Sequence, residues 1–275
     1  MTTCSVDLKA TVSAALVASL ALAGCQTVQT TQSGVVGVDR KQSFVVSSEA
    51  MTRSANQAYA QVLQEAQKKG QLNVDQAQTE RVRRIANRLV PATAAFRGDA
   101  PGWRWEVNVI SSNEVNAWCM PGGKIAVYSG LISTLQPTDD ELAAVMGHEM
   151  AHALREHSRE QASQQALQGI GVQIGAALLG VGELGQQLTQ TLLDVTFNLP
   201  HSRNDETEAD RIGVELAARA GYDPRAAVRL WEKMARVGGG RPPKWLATHP
   251  DPSDRTRDLQ VYSERVLPLY RPPGR

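Results

Sequence analysis

A mainly helical α+β domain, with a small sheet packed on one histidine-bearing helix, is the fold class this sequence predicts. Three observations carry that prediction. Apolar residues recur with helical spacing over 47–69, 74–89, 138–157, 204–220 and 224–237. Two short segments, "WRWEVNVI" (103–110) and "KIAVYS" (124–129), alternate in strand fashion. The chain has 275 residues, 42% of them apolar, which is enough for one sizeable core.

Residues 1–24 stand apart from that domain. An apolar run after Lys9 is too short for a membrane span and reads as a secretory leader. It ends in Leu22-Ala23-Gly24-Cys25, which resembles the lipobox of bacterial lipoproteins. That resemblance implies a lipidated Cys25 after cleavage, and Gln26 beside it implies sorting to the outer membrane. With Cys4 removed and Cys25 acylated, only Cys119 remains, so no internal disulfide is expected. Residues 25–46 hold the lipidated cysteine and a Gln/Thr/Ser/Gly-rich stretch expected to be a flexible tether, and 47–275 form the domain.

Within the domain, Pro91 closes the second helical segment, and "PGG" (121–123) supplies a turn before the second strand. Thr138 with Glu141 three residues later is a capping-box signature, and it starts the helix "DELAAVMGHEMAHALREH". The apolar, glycine-broken run 167–188 is expected to be a tightly packed helix, with a lid or a membrane-contacting element as the alternative. Gly221 is placed as the glycine just past the end of the helix over 204–220, and a last helix is expected over 253–266. A formal net charge of +1, with no cluster of lysines or arginines, excludes a nucleic-acid partner.

The chemistry is concentrated in His148-Glu149-Met150-Ala151-His152. Positions i and i+4 on a helix lie about 40° apart, so both imidazoles can address one ion, while Glu149 reaches a water on that ion without ligating it. This is the HExxH geometry of the zincins, and it asks for one Zn2+ per chain. A metzincin would need glycine and histidine where Arg155 and Ser158 stand, so that class is excluded. His157 is one residue out of that register and reads as a helix-end histidine.

The third ligand must then come from "NDETEAD". Glu208 shares its helical stripe with Arg211, Glu215 and Arg219, a pattern expected of a solvated charged face. Glu206 shares its stripe with Ala209, Gly213 and Ala217, as where a helix packs closely on another. Glu206 is therefore the expected ligand and Glu208 a surface residue. Asp210, one turn beyond Glu206, is placed to orient a ligating histidine.

Four blocks in this order carry a family resemblance: "NAWCMPGGKIAVYSGL" (116–131), "DELAAVMGHEMAHALREH" (140–157), "HSRNDETEADRIGVELAARAGYDPRAAVRLWEKM" (201–234) and "THPDPSDR" (248–255). The chain resembles the zinc metallopeptidases of the CAAX-prenyl-protease and HtpX family, and most closely its periplasmic BepA/LoiP/YcaL-like lipoprotein members. The resemblance implies a zincin-like metallopeptidase domain, with zinc held by His148, His152 and Glu206. It does not extend to the multi-pass membrane helices of some branches. Tetratricopeptide repeats after the THP block are not expected either.

Two imidazoles and one carboxylate leave one zinc position for a water whose pKa falls toward ~7, with Glu149 as general base. Arg203, His201 and His249 are the candidates for an additional oxyanion donor. His249, in the THP block, is alternatively a resident of the open zinc position. Asn116, Ala117 and Trp118 are expected on an edge strand to which an extended substrate adds. The function expected is a zinc endopeptidase clearing misfolded or stalled envelope proteins at the periplasmic face of a Gram-negative outer membrane, held in the lipid bilayer through Cys25. The alternative is a zinc-stabilised chaperone or scaffold working with the outer-membrane assembly machinery.

Overall fold

The computed structural model describes residues 26–168, 183–237, 244–250 and 254–272. The expected leader and Cys25 lie outside these residues, as does most of the glycine-broken run 167–188. Its end belongs to a helix, Glu183–Phe197.

In chain order the described elements are β1 (Gln26–Val28), β2 (Gln42–Phe44), α1 (Ser48–Lys68), α2 (Gln76–Ala92), β3 (Glu106–Ile110), β4 (Ala117–Met120), β5 (Lys124–Tyr128), α3 (Ser129–Leu135), α4 (Asp139–Leu154), α5 (His157–Gln168), α6 (Glu183–Phe197), α7 (Arg203–Arg219), α8 (Ala226–Arg236), α9 (Lys244–Thr248) and α10 (Arg255–Val266). Helices dominate, as the periodicity predicts. None among the described residues is long and apolar enough to cross a membrane.

The three-stranded sheet has the order β3-β5-β4, with β5 parallel to β3 and antiparallel to β4. The β4–β5 hairpin turns at Gly122 and Gly123, both at positive φ, where a side chain would be strained. Strand β4 is therefore an edge of the sheet. Its side chains are nonetheless in the core, and Trp118 packs edge-on against Tyr59 and Phe197. Cys119 is buried too, and burial pushes its thiol well above the usual range.

Helix α4 is buried almost end to end, from Glu141 to Leu154. Its start is fixed by the predicted capping box: the Thr138 hydroxyl accepts from Glu141 N–H, and the Glu141 carboxylate accepts from Thr138 N–H. Helix α7 crosses it at Gly147 and Gly213. A Cβ on Gly213 would lie 2.8 Å from His148 N, and one on Gly147 would lie 2.9 Å from Gly213 O. Only glycine at both positions lets the two backbones approach this closely.

The stretch expected to be a flexible tether is folded instead. Strand β1 pairs antiparallel with β2, and Val36, Val38, Phe44 and Val46 are buried. The Val36 N–H donates to Glu215 Oε2, and Arg155, wholly buried, donates to Thr30, Thr31 and Arg40 O. The low apolar periodicity of this stretch was a misleading signal, because most of its anchoring is polar.

Candidate metal centre

Helix α4 presents His148 and His152 on one face, and α7 brings Glu206 to them across the glycine crossing. Glu206 Oε2 lies 3.6 Å from His148 Nε2, and Glu206 Oε1 lies 3.4 Å from His152 Nε2. His249, just after α9, completes the group: its Nδ1 is 3.0 Å from Glu206 Oε1 and 3.2 Å from His148 Nε2. One ligand atom from each of these four buried residues falls within 4.8 Å of the others.

The group suits a cation. Asp210 accepts from His148 Nδ1–H at 2.9 Å, which leaves the Nε2 lone pair facing the cluster. That nitrogen is 3.1 Å from His152 Nε2, a contact between acceptors that a positive ion would relieve. Glu206 Oε2 is buried without a well-directed hydrogen bond, although Arg255 Nη2 is 3.0 Å away. Burial holds His148 well below its ordinary pKa and His152 at about 3. Both imidazoles are thus neutral, as metal ligation requires. For Glu206, burial alone would raise the pKa, but His249 and the imidazole contacts hold it well below.

Glu149 lies on the same helix, turned toward the α9 segment. The Trp245 indole N–H donates to its Oε1 at 2.6 Å, and His249 Nε2 is 3.5 Å from the same oxygen. Burial pushes Glu149 up to about 7, against the opposing pull of His249 and the indole. A carboxylate tuned near neutrality can both take and return a proton.

Two residues of the site were not anticipated. Trp245 could have been found only from its closeness to the THP block. Arg255, the last residue of that block, is buried over the Trp231 ring at 3.4 Å; its Nε is 2.7 Å from Asp210 Oδ2 and its Nη2 donates to Asp210 Oδ1 at 2.8 Å. It thereby fixes both the acceptor behind His148 and the Glu206 carboxylate. Burial raises Asp210 to about 6, with the Arg255 charge opposing.

Three expectations need correction. Glu208 is not a surface residue: it is buried, and Arg40, Arg155 and His157 all donate to it. Glu215 of the same stripe is fully buried. The ion-pair spacing was real, since Arg219 does pair with Glu215, but the two glutamates face the N-terminal segment, while Arg211 pairs with Asp258 and Arg219 stays exposed. His157 does stand at a helix end, as the first residue of α5, but not as an idle one. It is wholly buried, with its Nδ1 2.8 Å from His152 Nδ1.

The remaining candidates divide. His201 stacks on the His152 ring at 4.1 Å and shields that face. Arg203 is exposed at the first turn of α7, and among the described residues no hydrogen bond or ion pair ties its guanidinium to the cluster. Asn116, Ala117 and Trp118 lie at the sheet edge, with Ala117 N–H already taken by the Asn116 side chain.

Two histidines and a glutamate on one buried helix, with a glutamate delivered by a second, define an HExxH metallopeptidase domain. Residues 76–263 match Peptidase family M48, well over half of the chain, and the chain belongs to that family. It is 38% identical over 175 residues to the mitochondrial metalloendopeptidase OMA1 of Arabidopsis thaliana, covering 62% of this chain and 34% of that protein. To the OMA1 metalloendopeptidase of Bos taurus it is 36% identical over 185 residues, again with 62% and 34% covered. To the metalloprotease LoiP of Escherichia coli it is 29% identical over 241 residues, 87% of this chain and 90% of that one. The chain thus spans about a third of the length of these two OMA1 relatives, and nearly all of LoiP.

Proposed function

We propose that this chain is a zinc-dependent endopeptidase that hydrolyses peptide bonds of misfolded or stalled envelope proteins. It would act at the periplasmic face of the outer membrane, anchored through lipid on Cys25. The observation that carries the catalytic part is the placement of Glu149, a buried carboxylate held by the Trp245 indole beside the His148–His152–Glu206 group. Zinc, when bound there, supplies Lewis acidity and an activated water. Glu149 takes up a proton and returns it to the leaving amine, while the Trp245 indole holds its Oε1 in place. Asp210 and Arg255 keep His148 and Glu206 aligned. An extended substrate would add along β4, displacing the Asn116 side chain from Ala117 N–H.

Glu149→Gln tests this reading. The variant should retain zinc and lose cleavage of an unfolded protein such as casein by about 10²–10⁴-fold. Equal cleavage by variant and native chain would refute the peptidase assignment. A second reading has one observation in its favour: His249 Nδ1 already sits among the ligand atoms, 3.2 Å from His148 Nε2 and 3.0 Å from Glu206 Oε1. A zinc-stabilised scaffold or chaperone that scarcely cleaves would look like this. His249→Ala separates the two, because it should change hydrolysis by a peptidase, raising it where His249 blocks the site and lowering it where His249 is an oxyanion donor, and leave a scaffold inactive.

A further inference from the structure

Behind the metal group runs a second buried cluster that the peptidase mechanism does not use. Glu208 Oε1 accepts from Arg40 Nε at 2.6 Å, and its Oε2 accepts from Arg155 Nε at 2.9 Å. Arg40 also donates to Glu160 at 2.7 and 3.0 Å and to Asp205 at 2.9 Å. Two guanidiniums in contact keep Glu208 an ionised, acceptor-only group. They also rule the cluster out as a metal site of its own, although His157, Asp205 and Glu208 have ligand-like spacing. What the cluster offers instead is a fixed acceptor for His157 Nε2, Glu208 Oε2 at 3.1 Å, with Asp205 Oδ1 further off at 3.6 Å.

The hydrogen-bond logic of the next two contacts has a single solution compatible with ligation. His152 Nε2 faces Glu206 and His148, so binding through it puts the ring proton on Nδ1. His152 Nδ1 is 2.8 Å from His157 Nδ1, which must then accept. The proton of a neutral His157 consequently sits on Nε2, 3.1 Å from Glu208 Oε2, where it is donated. Each atom finds a complementary partner in that register and in no other. His157 is wholly buried, so bulk solvent reaches neither nitrogen.

We propose that His157 and Glu208, clamped by Arg40 and Arg155, form a positioning relay. It holds His152 in the Nδ1–H tautomer with Nε2 aimed at the metal. His148 has its own orienting carboxylate in Asp210. His152 has an imidazole interposed, and its carboxylate is secured by an arginine from the N-terminal segment. The relay makes residues 30–42 part of the metal centre, because Thr30, Thr31, Arg40 and Gln42 all hold Arg155 or Glu160. The proposal rests on the zinc reading of the His148–His152–Glu206 group.

The test measures zinc dissociation constants by chelator competition on the full purified chain, with circular dichroism of the metal-free proteins to establish folding. His157→Leu removes both contacts and should weaken zinc binding by about 10–100-fold. His157→Gln can accept from His152 and donate to Glu208, so it should recover most of that loss. Glu208→Gln should weaken binding about 10-fold, since its amide can also favour the opposite tautomer of both rings. The cobalt-substituted His157→Leu protein should show a shifted visible absorption spectrum. Native affinity in folded His157→Leu would overturn the relay. If that variant does not fold, native affinity in Glu208→Gln overturns it equally. Failure of the native chain to bind zinc would sink the zinc reading, and the relay with it, whereas tight native binding with unaffected variants sinks the relay alone.

Discussion

Arg255 illustrates how much one unanticipated side chain controls at the residue scale. It touches Asp210 and Glu206 together and is only 2% exposed, so its removal strands two carboxylates in the core. Breaking a buried pair in this way costs about 3–5 kcal/mol. Arg255→Met, which keeps the packing over Trp231, should show a loss of that size in urea unfolding, and weaker zinc retention on dialysis. Glu206→Ala should deplete zinc outright by metal analysis. A surface Glu208, as the stripe pattern suggests, would leave zinc binding unchanged. Its place behind His157 reverses that, and metal analysis of Glu208→Gln at limiting zinc reports it.

At the scale of elements, the α4–α7 crossing decides whether Glu206 reaches the histidines at all. Gly213→Ala would push a methyl into the His148 backbone, and overpacking of this kind costs about 1–3 kcal/mol. Thermal unfolding should show the loss, with zinc affinity falling as α7 is displaced from α4. The α4 N-terminus gives a pH-dependent prediction. Burial would raise the Glu141 pKa, but Lys233 and the Thr138 cap overcome it, so the folded value lies below the ordinary 4.5. A depressed carboxylate stabilises above its unfolded pKa and loses that contribution as pH falls through the folded value. Glu141→Gln should therefore lower Tm at pH 7, and the difference from the native chain should close as the pH is taken below about 4.5.

For the whole molecule, the N-terminal segment is the element most at odds with its composition. Arg40 gathers Glu160, Asp205 and Glu208, from two helices far apart in sequence, onto one guanidinium. Its side chain is 31% exposed, so Arg40→Ala should cost about 2 kcal/mol, less than the ~3–5 of a fully buried pair. Chemical unfolding at neutral pH would measure it, and an unchanged midpoint would mean that the segment merely lies on the surface.

The histidine helix, its capping box, the His-x-x-x-His face and the small-residue stripe that carries Glu206 were legible in the amino-acid sequence. All of these follow from helical periodicity, which is a local property. Which charged residues stay wet was settled by long-range packing. Glu208 and Arg40 are 168 residues apart, and no spacing along α7 reports that a distant arginine will cover the glutamate. The same holds for His157, Trp245 and Arg255, whose roles exist only once other segments deliver their partners. Burial of a charge depends on what the rest of the chain brings to it, so the centre's ligand faces were legible and the framework that aims them was not.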